Sequence, residues 1–206
     1  MATITENIQT LRSIKSDIKN AIIQKGGSVT DAFGTYAQAI TNLPSGGGNE
    51  DLVNLIERDV TTLNIPDGTT KIGAYVFYGC YSLTNVTIPN SVTTIGNYAF
   101  YFCSRLTDVT IGSGVTSIGE SAFGYSGLTN VTIPNSVTTI GGNSFSNCSA
   151  LTAITILATT PPTLTSSAFY DTNNCPIYVP AESVDAYKTA TNWSKYADRI
   201  QAIPTV

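Results

Sequence analysis

The stretch LTNVTIPNSVTTIGNYAFYFCSR, residues 83–105, returns from Leu128 almost unchanged as LTNVTIPNSVTTIGGNSFSNCSA. Between the two lies LTDVTIGSGVTSIGESAFGYSG from Leu106; VTTLNIPDGTTKIGAYVFYGCYS precedes them from Val60, and a degenerate unit, LTAITILATTPPTLTSSAFYDT, follows from Leu151. Phe77, Phe100, Phe123, Phe145 and Phe169 keep one place in these units, and Ile65, Ile88, Ile111, Ile133 and Ile156 another, at intervals of 22 to 24 residues. Self-similarity at such a period is the signature of a solenoid, in which each unit buries its apolar side only by stacking on its neighbours.

Each turn reads in three pieces. LTNVTI carries Val86 and Ile88 at a period of two, so Asn85 and Thr87 face out of a short strand. Pro89-Asn90-Ser91 makes a corner. VTTIG gives a second extended piece with Val92 and Ile95 inward, and Gly96 permits the next corner. NYAFYFC is expected to be a helical or 3-10 turn that carries Ala99, Phe100 and Cys103 into the core. Parallel strands would then stack at ~4.8 Å per turn.

The IP corner, the VTxIG step and the AFxxC tail closely resemble the BspA-like leucine-rich repeats of bacterial surface proteins. The resemblance covers residues 52 to about 203, including an ending, IYVPAESVDAYKTATNWSKYADRI, similar to the family's C-terminal cap. It implies a curved leucine-rich-repeat solenoid of short parallel β-strands, with about five repeats and helical or 3-10 turns. It also implies a role in adhesion and protein binding rather than catalysis.

Four segments follow from these signals: a helical module at 1–43, a glycine-rich linker at 44–50, the solenoid at 51–174 and the cap at 175–206. In the first, Thr3 to Glu6 has capping-box spacing, and Ile4, Ile8, Leu11, Ile18 and Ile22 follow heptad spacing. Gly26-Gly27 stops that helix, and a second short one carries Phe33, Ala37 and Ile40. So small a module either packs on the solenoid as a hairpin or self-associates through its isoleucines, a trimer being the favoured oligomer. Its wording resembles N-terminal helical modules of phage tail and fibre proteins, which implies an anchor to other virion proteins and a virion location. The bacterial cell surface is the alternative. In the cap, Cys175-Pro-Ile-Tyr-Val reads as a last strand, and the single Trp193 as an anchor closing the core.

Composition excludes several functions. The chain of 206 residues is 42% hydrophobic but only 12% charged, with a formal charge of −4 and no histidine. It therefore offers no basic patch for nucleic acid. The N-terminus lacks the basic start and apolar run of a signal peptide, and no stretch has the ~18 apolar residues of a membrane span; the expectation is a soluble chain without an evident export signal. The commonest general base is missing, and the charged residues from 60 to 170 are only Asp67, Lys71, Arg105, Asp108 and Glu120. Asp108 and Glu120 fall on different sides of one turn, so no carboxylate pair, metal box or cofactor site is expected. Asn85, Asn130, Asn147 and Asn192 match the glycosylation pattern by coincidence of the repeat.

Cys80, Cys103 and Cys148 share one column, in which Ser126 takes the place of the fourth member. Side chains in a column point the same way, so buried thiols are expected rather than a disulfide. Six of the eleven tyrosines lie between 75 and 125. Tyr75 and Tyr98 form one column, Tyr78 and Tyr101 another, Phe102 and Tyr125 a third, all flanking the inward phenylalanines. Stacked on an exposed edge they suit recognition of a host-surface protein or glycan. Equally, they suit ordinary covering, stacked on each other or on the N-terminal module.

Overall fold

A computed structural model describes residues 61–205 apart from 66 and 166. The expected helices, linker and isoleucine seam of residues 1–50, and the start of the expected solenoid at 51–60, lie outside the described residues.

The chain winds as a solenoid with three hydrogen-bonded sides. The first is a column of parallel strands: β1 (Thr62–Asn64), β3 (Asn85–Ile88), β5 (Asp108–Ile111), β7 (Asn130–Ile133), β9 (Ala153–Ile156), β11 (Ile177–Val179) and β12 (Ile200–Ala202). Register follows the repeat, Val86 pairing with Val109 and Ile88 with Ile111 in one ladder, Val131 with Ile154 and Ile133 with Ile156 in the next. Val and Ile alternate inward while Asn85, Thr87, Thr110, Asn130 and Thr132 are exposed. The second side stacks the two-residue strands β2 (Lys71–Ile72), β4 (Thr94–Ile95), β6 (Ser117–Ile118), β8 (Thr139–Ile140) and β10 (Thr163–Leu164) in one five-stranded sheet.

The third side departs from expectation. The tails around Phe77, Phe100, Phe123 and Phe145 are not helical or 3-10; among the described residues helices occur only between Ala181 and Arg199. Each tail is instead a pair of overlapping turns. Ala99 N–H donates to Gly96 O and Cys103 N–H to Phe100 O, and the third residue of each turn, Tyr98 or Phe102, has positive φ. The turns leave alternate N–H groups free to bond the next rung: Phe77 N to Ala99 O, Phe100 N to Ala122 O, Phe123 N to Ser144 O and Phe145 N to Ala168 O, all at 2.7–2.9 Å. A helix would consume those donors internally. Stacking wins because it satisfies them while also burying the phenylalanines.

The inward columns form one core. Successive rings of Phe77, Phe100, Phe123, Phe145 and Phe169 stack at 5.1, 5.2, 5.3 and 5.7 Å between centroids, all within 16° of parallel. Polar atoms bind the rungs as well. Cys103 Sγ donates to Phe77 O and Cys148 Sγ to Phe123 O, each at 3.1 Å, and Ser126 Oγ lies 3.1 Å from Cys148 Sγ. Cys103 and Cys148 thus supply small donors to buried carbonyls, Ser126 pairs with Cys148 in the same column, and none of the four cysteines is in a disulfide. Corner threonines repeat the device: Thr93, Thr116 and Thr138 each donate from Oγ1 to the carbonyl of the threonine one rung earlier.

The first-side ladder lapses between β5 and β7, dividing it into a three-stranded and a four-stranded sheet. The lapse follows the rung that is one residue short, 106–127, whose corner reads Ile-Gly-Ser-Gly in place of Ile-Pro-Asn-Ser. There Gly114 lies so close to the preceding rung that a Cβ would sit 1.9 Å from Asn90 O; no other residue fits.

At the far end the strand expected to be last, β11, is followed by another. After a 3-10 turn (Ala181–Ser183), helix α1 (Val184–Thr189) and a second 3-10 turn (Ser194–Arg199), the chain returns as β12, parallel to β11 with Ile177 opposite Ile200. Ile200 is therefore a strand residue. Trp193 is fully buried, 5.7 Å from the Phe169 ring and edge-on to Tyr187 at 4.9 Å. The cap also grips the one irregular corner, Leu157 to Thr163. Tyr187 Oη donates to Ala158 O, Ser183 Oγ to Thr159 O and Trp193 Nε1 to Pro162 O, each at 2.8 Å. Arg199 completes the closure, donating through Nε to Cys175 O and through an Nη to Thr172 Oγ1, both at 2.8 Å.

Candidate functional site

Positive φ on the third side is where the fold and the candidate site meet. Two left-handed positions, four residues apart, recur in every rung: Tyr75 and Gly79, Tyr98 and Phe102, Ser121 and Tyr125, Asn143 and Asn147, Ser167 and Asp171. Glycine and asparagine are the inexpensive occupants of such positions, and other residues cost of order 1–3 kcal/mol there. Gly79, Asn143 and Asn147 obey that rule. Tyr75, Tyr98, Phe102 and Tyr125, with φ between 57 and 61°, do not. Four of the six aromatics expected at the site thus occupy backbone positions that local preference would give to smaller residues.

All six come together, on the outer edge of the first three described rungs. Tyr75 and Tyr98 stack at 4.9 Å and 6°, Tyr78 and Tyr101 at 5.5 Å and 27°, and Phe102 lies 4.7 Å from Tyr125. Edge-to-face contacts join the columns, Tyr98 to Tyr101 at 5.3 Å and Tyr101 to Phe102 at 4.5 Å. The rings do cover one another, yet Tyr75 remains 56% exposed, Tyr125 40% and Tyr78 38%. Self-stacking and exposure coexist because a stacked partner covers only one face of a ring.

Two glycines shape the patch. Gly124 holds the place of Tyr78 and Tyr101 in the third rung, where a Cβ would lie 2.9 Å from the Tyr101 ring; its bare backbone lets that ring lean across to Tyr125, 5.4 Å away. In the first rung Gly79 leaves the Phe102–Tyr125 column empty, and the ring of Tyr81 approaches that space to 3.6 Å. Tyr81, 52% exposed, belongs to the edge and was missed by the sequence reading. It stands outside the phenylalanine-flanking register, and only the glycine two residues before it signals that its ring has somewhere to fold.

Charge is scarce here. Glu120 Oε1 accepts from Tyr98 Oη at 3.4 Å. Burial, followed by the neighbouring phenols of Tyr125, Tyr78 and Tyr98, pushes the Tyr101 hydroxyl above the ordinary phenol range, so it stays a donor. Asp108 is an exposed residue of β5, and Glu120 follows β6 on the second side. Among the described residues no group of three or more Cys, Asp or Glu could hold a metal ion. Nor, among them, is any helix long and apolar enough to cross a membrane. The tentative self-association residues Ile4, Ile8, Leu11, Ile18 and Ile22 lie outside the described residues.

The comparisons with known proteins agree on one architecture. The model of the BspA type leucine rich repeat region matches residues 56–182 in six copies. A leucine-rich repeat protein of T. pallidum is similar at 30% identity and a TM-score of 0.54, over 61% of this chain and 60% of its own. One from Eubacterium ventriosum is similar at 27% identity and a TM-score of 0.57, over 70% of this chain and 36% of its own. The chain thus spans about a third to three fifths of the length of these two relatives. No curated protein matches.

Proposed function

The chain belongs to the BspA-type leucine-rich repeat family, and we propose that it is a non-enzymatic adhesion or interaction module that binds a surface protein or glycan through its aromatic edge. The observation that carries this reading is the set of four aromatics at left-handed backbone positions, where the same array elsewhere uses Gly, Ser, Asn and Asp. Strain of this kind persists where the surrounding structure over-determines it, and it clusters at ligand-binding sites. The strand face over the same rungs, by contrast, presents short Asn, Thr and Asp side chains, a solvated ladder.

The bacterial cell surface is the favoured placement, since the matched relatives are bacterial repeat proteins. Placement in a virion, as a fibre or decoration subunit trimerised by residues 1–43 and docked on other virion proteins, rests on the wording of that segment. Light scattering on the intact chain separates them: a trimer favours the virion reading, a monomer removes it.

The test of the binding site is the triple variant Tyr75→Ser, Tyr98→Ser, Tyr101→Ser. Serine already fills the corresponding places at Ser121 and Ser146, so folding is retained. Binding to printed oligosaccharides and to intact epithelial and bacterial cells is expected to fall at least tenfold. Unchanged binding of the folded variant to every probe sinks the assignment.

A further inference from the structure

Resting on the proposed aromatic edge, we infer that Arg105 and Tyr81 form an acid-accepting notch at its margin, and that the partner is a protein docking an exposed Asp or Glu side chain there. Tyr81, Ser82, Ser104 and Arg105 line an open notch of about 500 Å³ between the first two described rungs. Arg105 is the one cation between Lys71 and Lys188 in a chain of net charge −4. Its side chain is exposed, and among the described residues no ion pair or hydrogen bond engages it. The next rung is one residue short here: Gly127 packs against Ser104, and no side chain stands in register with Arg105.

The choice of a protein over a glycan comes from how the rings are turned. A pyranose stacks on an open aromatic face. Here Tyr75 and Tyr98 are within 6° of parallel at 4.9 Å, and Tyr78 and Tyr101 within 27° at 5.5 Å, so one face of each ring is packed against its partner and closed to a pyranose. What they offer outward is the ring edge, which carries partial positive charge, together with phenolic donors. With Arg105 beside it, this surface fits acceptor oxygens embedded in apolar contacts. A carboxylate between aliphatic or aromatic side chains has that character, and Tyr and Arg are residues enriched at protein hot spots. Glu120, held by Tyr98 at the opposite margin, repels an acid there and sets the polarity of docking.

The probe is a random peptide library displayed on phage and selected on the immobilised full-length protein, in parallel with an array of neutral and acidic oligosaccharides. Selected peptides are expected to carry Asp or Glu next to an apolar residue. A synthetic peptide so chosen should lose roughly three- to tenfold in affinity, by calorimetry, with Arg105→Gln, with Tyr81→Ser, and with its own acid changed to the amide. The Arg105→Gln and peptide-amide changes should not add, because they break the same pair. Neutral or basic selected peptides, indifference to Arg105→Gln, no enrichment at all, or binding confined to acidic oligosaccharides each overturns the inference. A loss with Tyr98→Ser but none with Arg105→Gln removes the acid notch and leaves the aromatic edge standing; indifference to both removes the two together.

Discussion

Two rings from adjacent repeats, Phe123 and Tyr98, should respond to truncation very differently. Phe123 is fully buried in the middle of the phenylalanine stack, with neighbours at 5.2 and 5.3 Å. Phe123→Ala removes a core ring and two stacking contacts, a loss of about 4–5 kcal/mol. In a domain of this size that lowers Tm by roughly 10–20 °C. Tyr98 also has two ring contacts, Tyr75 at 4.9 Å and Tyr101 at 5.3 Å, whose removal costs about 1–3 kcal/mol. Its φ of 57° costs a serine as much as a tyrosine, because both carry a Cβ, and Ser121 shows that serine fits the same turn. Tyr98→Ser should therefore lose only those edge contacts, about 1–3 kcal/mol, clearly less than Phe123→Ala. The assay is urea unfolding followed by far-UV dichroism and by emission of the single Trp193, which reports the far end of the array. Comparable losses for the two variants would refute the division into rings that hold the fold and rings placed for another purpose.

Three further outcomes follow from particular contacts. Arg199→Lys should destabilise the cap by about 2 kcal/mol, seen as a lower Tm, because one ammonium cannot reach Cys175 O and Thr172 Oγ1 as the guanidinium does; an unchanged Tm contradicts it. Gly127→Ala places a Cβ 2.5 Å from Ser104 O and should cost about 1–3 kcal/mol in urea unfolding, whereas a neutral result would show that the short rung can relax. Burial pushes the Cys148 thiol up to about 11, against a smaller lowering by Ser126. The folded state therefore keeps the proton to higher pH than the unfolded chain, so this contribution is intact below about pH 9 and is lost as pH rises towards 11. Melting temperatures should fall across that window and fall less steeply in Cys148→Ala; parallel profiles for the two proteins contradict the assignment.

The strand columns were legible because burial enforces them: Val86, Ile88 and their counterparts alternate at a period that only a pleated strand satisfies. The tail was misread for a physical reason. Phe100 and Cys103 are spaced as in a 3-10 turn, but backbone sign is decided by neighbouring rungs, and aromatic residues give no warning of positive φ. Glycine at 79 with asparagine at 147 in one column, and asparagine at 143 in the other, held the missing signal. The edge columns were readable from register alone, but Tyr81 was not, since its place depends on a ring folding back over Gly79. The terminal strand β12 was hidden by its length of three residues and by Gln201 and Ala202 facing solvent.

Site-specific crosslinking tests the central claim most directly. A photoreactive benzoylphenylalanine is placed at Tyr98 on the aromatic edge or at Thr87 on the strand face, both in the full chain, and irradiated on intact target cells. The account predicts a crosslinked adduct from position 98 and none from position 87. Adducts from 87 alone would place recognition on the strand face and contradict it.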